Sequence, residues 1–499
     1  MTRASKRRLF GRRESTVSSS VEMAVFSILN TALNFLRSVI IAANYGAGAM
    51  TDAYYSMVGL LNTPAGLLSD SLTALVPTRS QAYREKGQQP DYIASYLSVT
   101  TAAFIALAAI FAIFGRTIVK IVLTGFNSEA IGSVYYLILL SLPAIVLAPL
   151  CCIIDNALKS DRYFIFGNTG GLINSIISTG LLFFISRSGV KGVVYSTLAG
   201  LTVNFIILIW AAVRKKILPG HIDLRLGIRE AKKAFPLFLG GILGIAAGYV
   251  EKYLASFLPS GSITLLSMST SLLGAARGLL VGTFISVYYP FVSEAVIAGD
   301  KKKYNDLMDE AKRIIFGLFG LGVVCMVVFA QPLFMLLFGH GRFGSEDVAS
   351  LAAIFAVGTF GIVQTGLSNL AGFSFYAKGD TKTPVACGFF AGTLVRVLLQ
   401  FLVIRALGAM GLSAATAVAG MGVLLLETAL LSRKHKFSIL KPKEIILAFL
   451  ILSFSLALGF MRWTPWSMIL PFFYYIFISV GKYGLSPRRI LMMAKGAFK

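Results

Sequence analysis

The chain has 499 residues, 56% of them hydrophobic, and a mean hydropathy of +0.77. This composition excludes an ordinary soluble globular protein, because runs of about 20 apolar residues, long enough to cross roughly 30 Å of hydrocarbon, recur along the chain. The formal net charge of +24 could indicate a nucleic-acid-binding protein. The basic residues lie mostly between the apolar runs, however, which argues against that class.

Fourteen apolar runs follow a basic arm at residues 1–16. The arm lacks a short apolar core with a small-residue cleavage site, so we predict no removable signal peptide. The runs predict transmembrane helices near residues 17–43, 53–76, 93–114, 131–154, 163–186, 193–213, 234–256, 263–290, 314–338, 350–374, 384–404, 410–431, 444–461 and 466–481. The predicted fold class is an all-α integral membrane protein with about 14 transmembrane helices.

The basic residues alternate between the two sides of this topology. Of the 46 lysines and arginines, 35 lie in the two termini and in the loops after every second span, seven lie in the opposite loops, and four lie within spans. Cytoplasmic loops carry such an excess of Lys and Arg. The pattern therefore predicts that both termini are cytoplasmic, which requires an even number of spans.

The first span carries a polar stripe. Asn30, Asn34 and Arg37 stand at i, i+4 and i+7, which places them on one face of a helix. Lipid offers these side chains no partner, and a charged residue near the bilayer centre costs roughly 2.5–3.5 kcal/mol on insertion scales. The stripe predicts either a network of hydrogen bonds between helices or, as we prefer, the wall of a polar cavity. Asp52 follows the turn GAGAMT (46–51) and begins the second span.

The second half of the chain repeats the first. VPTRSQA at 76–82 matches YPFVSEA at 289–295 with an offset of 213, and KSDR at 159–162 matches KGDT at 378–381 with an offset of 219. Parallel repeats related by an axis along the membrane normal are typical of one class of transporter. We predict a six-span N-lobe at 17–213, a basic cytoplasmic linker at 214–233, a six-span C-lobe at 234–431, and two further spans with a basic cytoplasmic tail at 432–499.

The sequence lacks the common motifs of nucleotide hydrolysis, ester hydrolysis and metal binding. The sequence has no Walker GxxxxGK[ST] motif, no GxSxG elbow and no HExxH motif, and its four cysteines and three histidines show no metal-ligand spacing. We therefore expect no enzymatic activity, no metal site and no disulfide framework, with the thiols buried in spans. In the eighth predicted span, Gly274, Gly278 and Gly282 recur every four residues, which predicts close helix packing or, alternatively, a gate helix that can bend.

The sequence resembles the MurJ/MviN flippases of the multidrug/oligosaccharidyl-lipid/polysaccharide exporter superfamily in four stretches: GAGAMTDAYY (46–55), LVPTRSQAYREKG (75–87), ASFLPSGSI (255–263) and FYAKGDTKTPV (375–385). The resemblance runs from about residue 21 to the end. It implies two six-helix lobes around a V-shaped central cavity and two extra helices that form a lipid-facing groove. It also implies transport of lipid II, the undecaprenyl-diphosphate precursor of peptidoglycan, from the inner to the outer leaflet, without a cofactor.

The resemblance implies several cavity residues. Arg37 matches the family's second span-1 arginine, and Asp52 matches the aspartate of its TDA motif. Three other cavity arginines do not carry over, and their positions hold Thr31, Ala65 and Ser271. Arg277 could substitute if its helix is shifted. Because arginine pairs with phosphate through paired N–H groups, we expect a diphosphate-binding cavity formed by Arg37, Asn34, Asp52 and Arg277.

The family's acidic residue in the seventh span is matched by Glu251. Some members use that acid with polar residues of spans 11 and 12 to bind sodium, but Arg396 lies in that region here and would oppose a bound cation. We expect instead a buried charge network that is either a static latch or a proton-responsive switch. Its members are Glu251, Lys252, Arg396, Gln400 and Glu427.

The expected function is that of a flippase for a lipid-linked saccharide in the bacterial inner membrane, with lipid II as the default substrate. The missing arginines leave room for another polyprenyl-linked glycan, such as an exopolysaccharide unit. A non-transporting scaffold for cell-envelope synthesis and a cation-coupled drug exporter are the alternatives from other classes. The membrane potential or an ion gradient would drive transport, and proteins of cell-wall or polysaccharide synthesis would be partners.

Overall fold

The computed structural model describes residues 16–436, 440, 442–460 and 474–482. The chain divides into two compact units, the first ending at Gly261 and the second beginning at Ser262. The helices of the first unit are α1 (Thr16–Tyr45), α2 (Ala49–Thr73), α3 (Val76–Glu85), α4 (Gln89–Val122), α5 (Ser128–Ser160), α6 (Phe164–Ile185), α7 (Val190–Arg214), α8 (Leu224–Lys232) and α9 (Phe235–Ala255). A 3-10 turn at Ser186–Ser188 precedes α7.

The described secondary structure of the second unit is also helical. Its α-helices are α10 (Ser262–Arg277), α11 (Thr283–Ala298), α12 (Lys301–Lys312), α13 (Gly320–Phe338), α14 (Ser345–Gly358), α15 (Phe360–Ala377), α16 (Lys382–Cys387), α17 (Arg396–His435) and α18 (Pro442–Phe460). Its π-helical segments are Gly278–Gly282, Arg313–Phe319, Gly388–Val395 and Tyr475–Lys482. Most of the predicted basic arm, the C-terminal tail and the first part of the fourteenth predicted span lie outside the described residues.

The length and apolar character of the helices confirm an all-α integral membrane protein. Within the described ranges, nine helical stretches are long and apolar enough to cross a membrane. One of them, Lys382–His435, contains both the eleventh and the twelfth predicted spans. Two helices meet in this stretch at Gly408, whose φ of 54° and ψ of −136° are not helical, so α17 is kinked there. The chain is therefore a multi-pass membrane protein.

The first unit includes the predicted linker and the predicted seventh span. The hydroxyl of Tyr249 in α9 donates to the backbone oxygen of Leu60 in α2 at 2.9 Å. The backbone N–H of Gly125 donates to Ser256 Oγ at 3.1 Å, and a Cβ built at Gly125 would lie 2.2 Å from the Ser256 carbonyl oxygen. These contacts hold the C-terminal part of α9 against the first unit. The division into lobes at 214–233 rests on the sequence repeat alone and stays a prediction.

Both units contain a similar polar turn at the matching KSDR and KGDT segments. Asp161 follows α5 and accepts hydrogen bonds from Arg84 at 2.9 Å and from Gln89 at 3.2 Å. Asp380 follows α15 and accepts from the hydroxyl and the backbone N–H of Thr383 at 2.7 and 3.0 Å. These two hydrogen bonds hold the pKa of the Asp380 carboxyl well below its usual range. Asp380 Oδ2 also lies 3.6 Å from Lys434 Nζ, so in both turns the aspartate carboxylate contacts a residue that is distant in the sequence.

The three glycines of the eighth predicted span do not pack closely against another described helix. Outside the adjacent residues and the helix's own backbone, no described atom lies within 4 Å of a Cβ built at Gly274, Gly278 or Gly282. The π-helical segment Gly278–Gly282 interrupts the span directly after Arg277. The described contacts therefore do not support the expectation of close packing. A π-helical interruption favours the alternative of a helix that can bend.

Candidate functional site

A polar cavity of about 420 Å³ lies within the first unit. Helices α1, α2, α5, α6 and α7 contribute its walls. Its polar lining residues are Arg37, Tyr54, Asn62, Ser69, Asp70, Ser141, Asn174 and Thr197. The remaining lining side chains are mostly apolar, including Met57, Leu61 and Ile145. A mostly apolar cavity with a few convergent polar groups is the usual form of a ligand site.

Arg37 lies on the wall of this cavity. One terminal nitrogen of its guanidinium, Nη2, donates to the backbone oxygen of Val193 at 3.1 Å and to the hydroxyl of Thr197. Its Nε is buried and has no hydrogen-bond partner among the described residues. A buried polar group without a partner is costly unless a ligand or water satisfies it. The guanidinium is thus fixed in place by α7 while part of its donor capacity is unused.

The rest of the polar stripe on α1 contacts other groups. Asn30 accepts a hydrogen bond from the hydroxyl of Ser175 in α6, and Asn34 donates to Asn30 Oδ1 at 3.4 Å. Asn34 is exposed and does not line the cavity. Each of the two interpretations of the stripe therefore describes part of it, because Asn30 belongs to a hydrogen-bond network between helices and Arg37 belongs to the cavity wall.

Asp52 is held away from the cavity wall. It lies in the first turn of α2, is 3% exposed, and accepts a hydrogen bond from the backbone N–H of Gly261 at 2.6 Å. Gly261 has a φ of +96°, and a Cβ there would lie 3.0 Å from the backbone oxygen of Ala47, so the close approach requires glycine. These contacts fasten the segment after α9 to the turn between α1 and α2. The contacts of Asp52 are those of a structural anchor.

Replacement of Asp52 distinguishes an anchor from a ligand-binding residue. We expect Asp52→Ala to lower the thermal unfolding temperature of the purified protein, because a hydrogen bond to a charged group contributes about 1.5–3 kcal/mol. Asp52→Asn keeps an acceptor oxygen and should lower the unfolding temperature less than Asp52→Ala does. Asp70→Ala, which removes an exposed carboxylate from the same helix, is the control for stability. Loss of transport by Asp52→Ala at an unchanged unfolding temperature would contradict the anchor interpretation.

The predicted charge network is divided between the two units. Lys252 of α9 packs against α2, where a Cβ built at Gly59 would lie 2.7 Å from Lys252 Cε. The ammonium of Lys252 interacts electrostatically with Glu251 and with Asp52. Within the first unit the structure thus brings Lys252 to Asp52, a residue that the resemblance had assigned to substrate binding. The other predicted members belong to the second unit, where Arg396 and Gln400 precede the kink of α17 at Gly408 and Glu427 follows it.

The second unit contains its own buried polar side chains. Glu427 is 6% exposed and accepts a hydrogen bond from Ser368, which in turn accepts one from Gln364 at 2.9 Å. Gln400 is fully buried. Arg277 at the end of α10 lies against α15, with its guanidinium 3.7 Å from a Cβ built at Gly361. The Nε atoms of both Arg277 and Arg396 are buried without a hydrogen-bond partner among the described residues.

Several cavity residues were not predicted from the sequence. Asn62, Asp70 and Asn174 lie at isolated positions in apolar runs, so only their polarity within a span could have indicated them. Thr197 lies 219 residues before Thr416, the offset that also relates KSDR to KGDT, but this match does not predict the contact of Thr197 with Arg37. Cys152 lines the cavity and is exposed. The expectation that all four thiols are buried was therefore wrong for Cys152, and Cys325 is only half-buried.

The sequence matches one family model and several proteins that carry the same name as that model. The family model described as "Lipid II flippase MurJ" matches residues 41–481. The "Probable lipid II flippase MurJ" of Thermotoga maritima is 26% identical over 420 residues, covering 81% of this chain and 83% of that protein. The "Lipid II flippase MurJ" of Burkholderia cenocepacia is 23% identical over 466 residues, covering 88% of each chain.

Solved structures with the same fold also occur. The structure titled "Lipid II flippase MurJ, inward closed conformation" superposes with a TM-score of 0.76 at 19% identity, covering 93% of this chain and 99% of the other. An inward-facing multidrug resistance MATE family transporter of the MOP superfamily superposes with a TM-score of 0.66 at 12% identity, covering 85% and 95% of the two chains. At these identities the likeness concerns the fold alone.

Proposed function

The chain belongs to the lipid II flippase MurJ family, and from this premise we propose that it moves a polyprenyl-diphosphate-linked saccharide, lipid II by default, from the inner to the outer leaflet of the bacterial cytoplasmic membrane. It acts as a transporter and not as an enzyme. The observation that carries the proposal is the buried Nε of Arg37, which has no hydrogen-bond partner among the described residues in a cavity lined by other polar groups. A phosphate oxygen is an acceptor that suits this donor.

The cavity offers separate groups for the parts of such a substrate. Arg37, held by Val193 and Thr197, would bind the diphosphate because a guanidinium matches phosphate geometry. Asn62 and Asn174 would donate and accept hydrogen bonds with sugar hydroxyls. The polyprenyl chain would remain in lipid, where it costs no desolvation. Arg277 is the proposed cation of the second unit, since its Nε is also buried and lacks a partner among the described residues.

Transport is proposed to follow alternating access, which suits a chain built from two repeats. A diphosphate carries negative charge across the membrane field, at about 2.3 kcal/mol per charge per 100 mV, so the membrane potential can contribute to the driving force. An ion gradient is the other proposed source. Both termini are placed in the cytoplasm by the excess of basic residues in alternate loops. Proteins of cell-wall or polysaccharide synthesis are the proposed partners.

A second candidate substrate is another polyprenyl-linked glycan, such as an exopolysaccharide unit. One observation favours it: Ala65, which stands where the resemblance implies an arginine, lines the cavity. Thr31, at another such position, donates its hydroxyl to the backbone oxygen of Ser27. The cavity wall of the first unit therefore has fewer cations than the family pattern implies, and a headgroup of different charge could fit it.

Depletion and rescue tests the proposed function. A host depleted of its own lipid II flippase would express this chain, and lipid II on the outer leaflet would be measured with an impermeant probe. Restored exposure is the expected result. Absence of rescue by a protein shown to be folded and inserted would contradict lipid II as substrate. Export of an exopolysaccharide unit in a matching deletion host would then support the second candidate, and failure in both hosts would support a scaffold.

A further inference from the structure

Helix α8 exposes a row of apolar and basic side chains along one side. Leu224 and Ile228 are 58% and 46% exposed. Arg225, Arg229 and Lys232 are also exposed, and at i, i+4 and i+7 they form a row directly beside the two apolar residues. A short helix with an apolar strip flanked by basic residues is typical of the interface between a membrane and water.

The opposite face of α8 is fastened to the first unit. Glu230 is 1% exposed and accepts two hydrogen bonds from Arg79 of α3, at 2.7 and 2.9 Å. Gly227 lies directly on α4, where a Cβ would come within 2.4 Å of the backbone oxygen of Ser95. The hydroxyl of Ser95 also accepts a hydrogen bond from the backbone N–H of Asp223 at 2.9 Å. The orientation of α8 is thus fixed by contacts on its buried side, so its exposed side has a defined position.

A groove of about 340 Å³ opens beside the exposed apolar edge. Its walls come from α2, α4, α8 and α9, all in the first unit. The apolar lining residues are Leu68, Leu72, Val99, Ile228, Phe235 and Phe238. Lys232 also lines the groove, and Phe235 is 56% exposed at its side. A lysine at the edge of an otherwise apolar groove suits an amphiphilic occupant with a negative end.

We propose that this groove is a binding site for an anionic phospholipid of the inner leaflet. One acyl chain lies against Phe235 and Phe238, and the phosphate lies at Lys232 within the field of Arg225 and Arg229. The argument for this occupant is charge complementarity, since each basic residue near an anionic membrane surface contributes about 1 kcal/mol. The excess of basic residues in alternate loops places this linker at the cytoplasmic leaflet, where anionic lipids are available. The site is separate from the polar cavity and does not depend on the transported substrate.

Photo-crosslinking of the full chain tests the proposal directly. Phe235 is replaced by p-benzoylphenylalanine, a change that keeps an aromatic ring at the groove. The protein is placed in vesicles of phosphatidylcholine and phosphatidylglycerol at 3:1, irradiated, and analysed for lipid adducts by mass spectrometry. We expect the ratio of phosphatidylglycerol to phosphatidylcholine adducts to exceed the bilayer ratio by at least about tenfold. Two basic residues at about 1 kcal/mol each would favour binding of the anionic lipid by about thirty-fold.

Two variants and one control decide the outcome. The double variant Arg225→Gln/Lys232→Gln should lower the ratio of phosphatidylglycerol to phosphatidylcholine adducts by at least about tenfold, because it removes two basic residues and leaves only Arg229. Ala231→Phe, which fills the groove, should reduce both adducts. Lys302→Gln, which alters an exposed lysine of α12, should leave the ratio unchanged. Thermal unfolding checks that each variant is folded. An unaltered ratio in the charge variant would overturn the proposal, as would protein–protein adducts in place of lipid adducts.

Discussion

Replacement of Arg37 by alanine is expected to abolish transport while the protein remains folded and inserted. The variant removes the guanidinium that α7 holds on the cavity wall and leaves the hydroxyl of Thr197 bonded to the backbone oxygen of Val193 at 2.6 Å. Truncating one partner of a buried charge-assisted contact costs about 2–5 kcal/mol. Transport should therefore slow by at least about thirty-fold. The measurement is exposure of lipid II on the outer leaflet of cells depleted of their own flippase.

Companion variants show which property of Arg37 matters. Arg37→Lys keeps a positive charge but loses the paired N–H groups, so we expect partial transport. Thr197→Val removes one hydrogen-bond partner of the guanidinium and should give an intermediate rate. Arg187→Ala removes an exposed arginine from the 3-10 turn before α7 and serves as the matched control. Full transport by Arg37→Ala at normal expression would remove Arg37 from the mechanism.

The sequence predicted those features that depend on local patterns. Apolar runs of membrane length predicted an all-α membrane protein, because hydrocarbon requires every backbone polar group to be satisfied within the segment. The spacing of Asn30, Asn34 and Arg37 placed them on one face of α1, and the cost of a charge in the membrane indicated that Arg37 lies inside the protein. Both inferences needed only the helical period and the properties of the solvent.

The same reasoning could not identify partners that are distant in sequence. Asp52 bonds to the backbone N–H of Gly261, 209 residues away, so its position in the second span gave no sign that it serves as an anchor. Lys252 fits against Gly59 because that position has no side chain, and a lone glycine in an apolar run predicts no particular neighbour. Of the expected cavity set, Arg37 lines the cavity of the first unit and Asn34 and Asp52 do not, and their roles in substrate binding stay predictions.

The segment VPTRSQAYRE (76–85), which forms helix α3, has a structural role in this chain. Arg79 and Arg84 of the VPTRSQAYRE helix bond to Glu230 and Asp161 respectively. Each contact joins α3 to a segment far away in the sequence, the linker helix α8 in one case and the turn after α5 in the other. Helix α3 thus holds α8 and the end of α5 together, which gives this segment a role in stability that is independent of substrate binding.

The contact between Glu230 and Arg79 is expected to make the stability of the protein depend on pH. Burial by itself raises the pKa of Glu230, but hydrogen bonds from Arg79, Lys233 and Tyr83 outweigh it and bring the pKa to about 2. Because this value is below that of an unfolded glutamate, about 4.3, the carboxylate contributes its full stability above about pH 5. The contribution is lost progressively as the pH falls towards 2.

Glu230→Gln removes the charge and keeps the shape of the side chain, so it isolates this effect. We expect the variant to be about 2–3 kcal/mol less stable at pH 7, less than for a fully buried pair because Arg79 is 34% exposed and partly solvated. Unfolding of both proteins in the same detergent should show a constant difference from pH 7 to 5 and a smaller one at pH 3.5. Glu294→Gln, which breaks an exposed pair with Lys303, should cost less than about 1 kcal/mol. A difference between wild type and Glu230→Gln that does not change with pH would show that Glu230 acts through its shape and not through its charge.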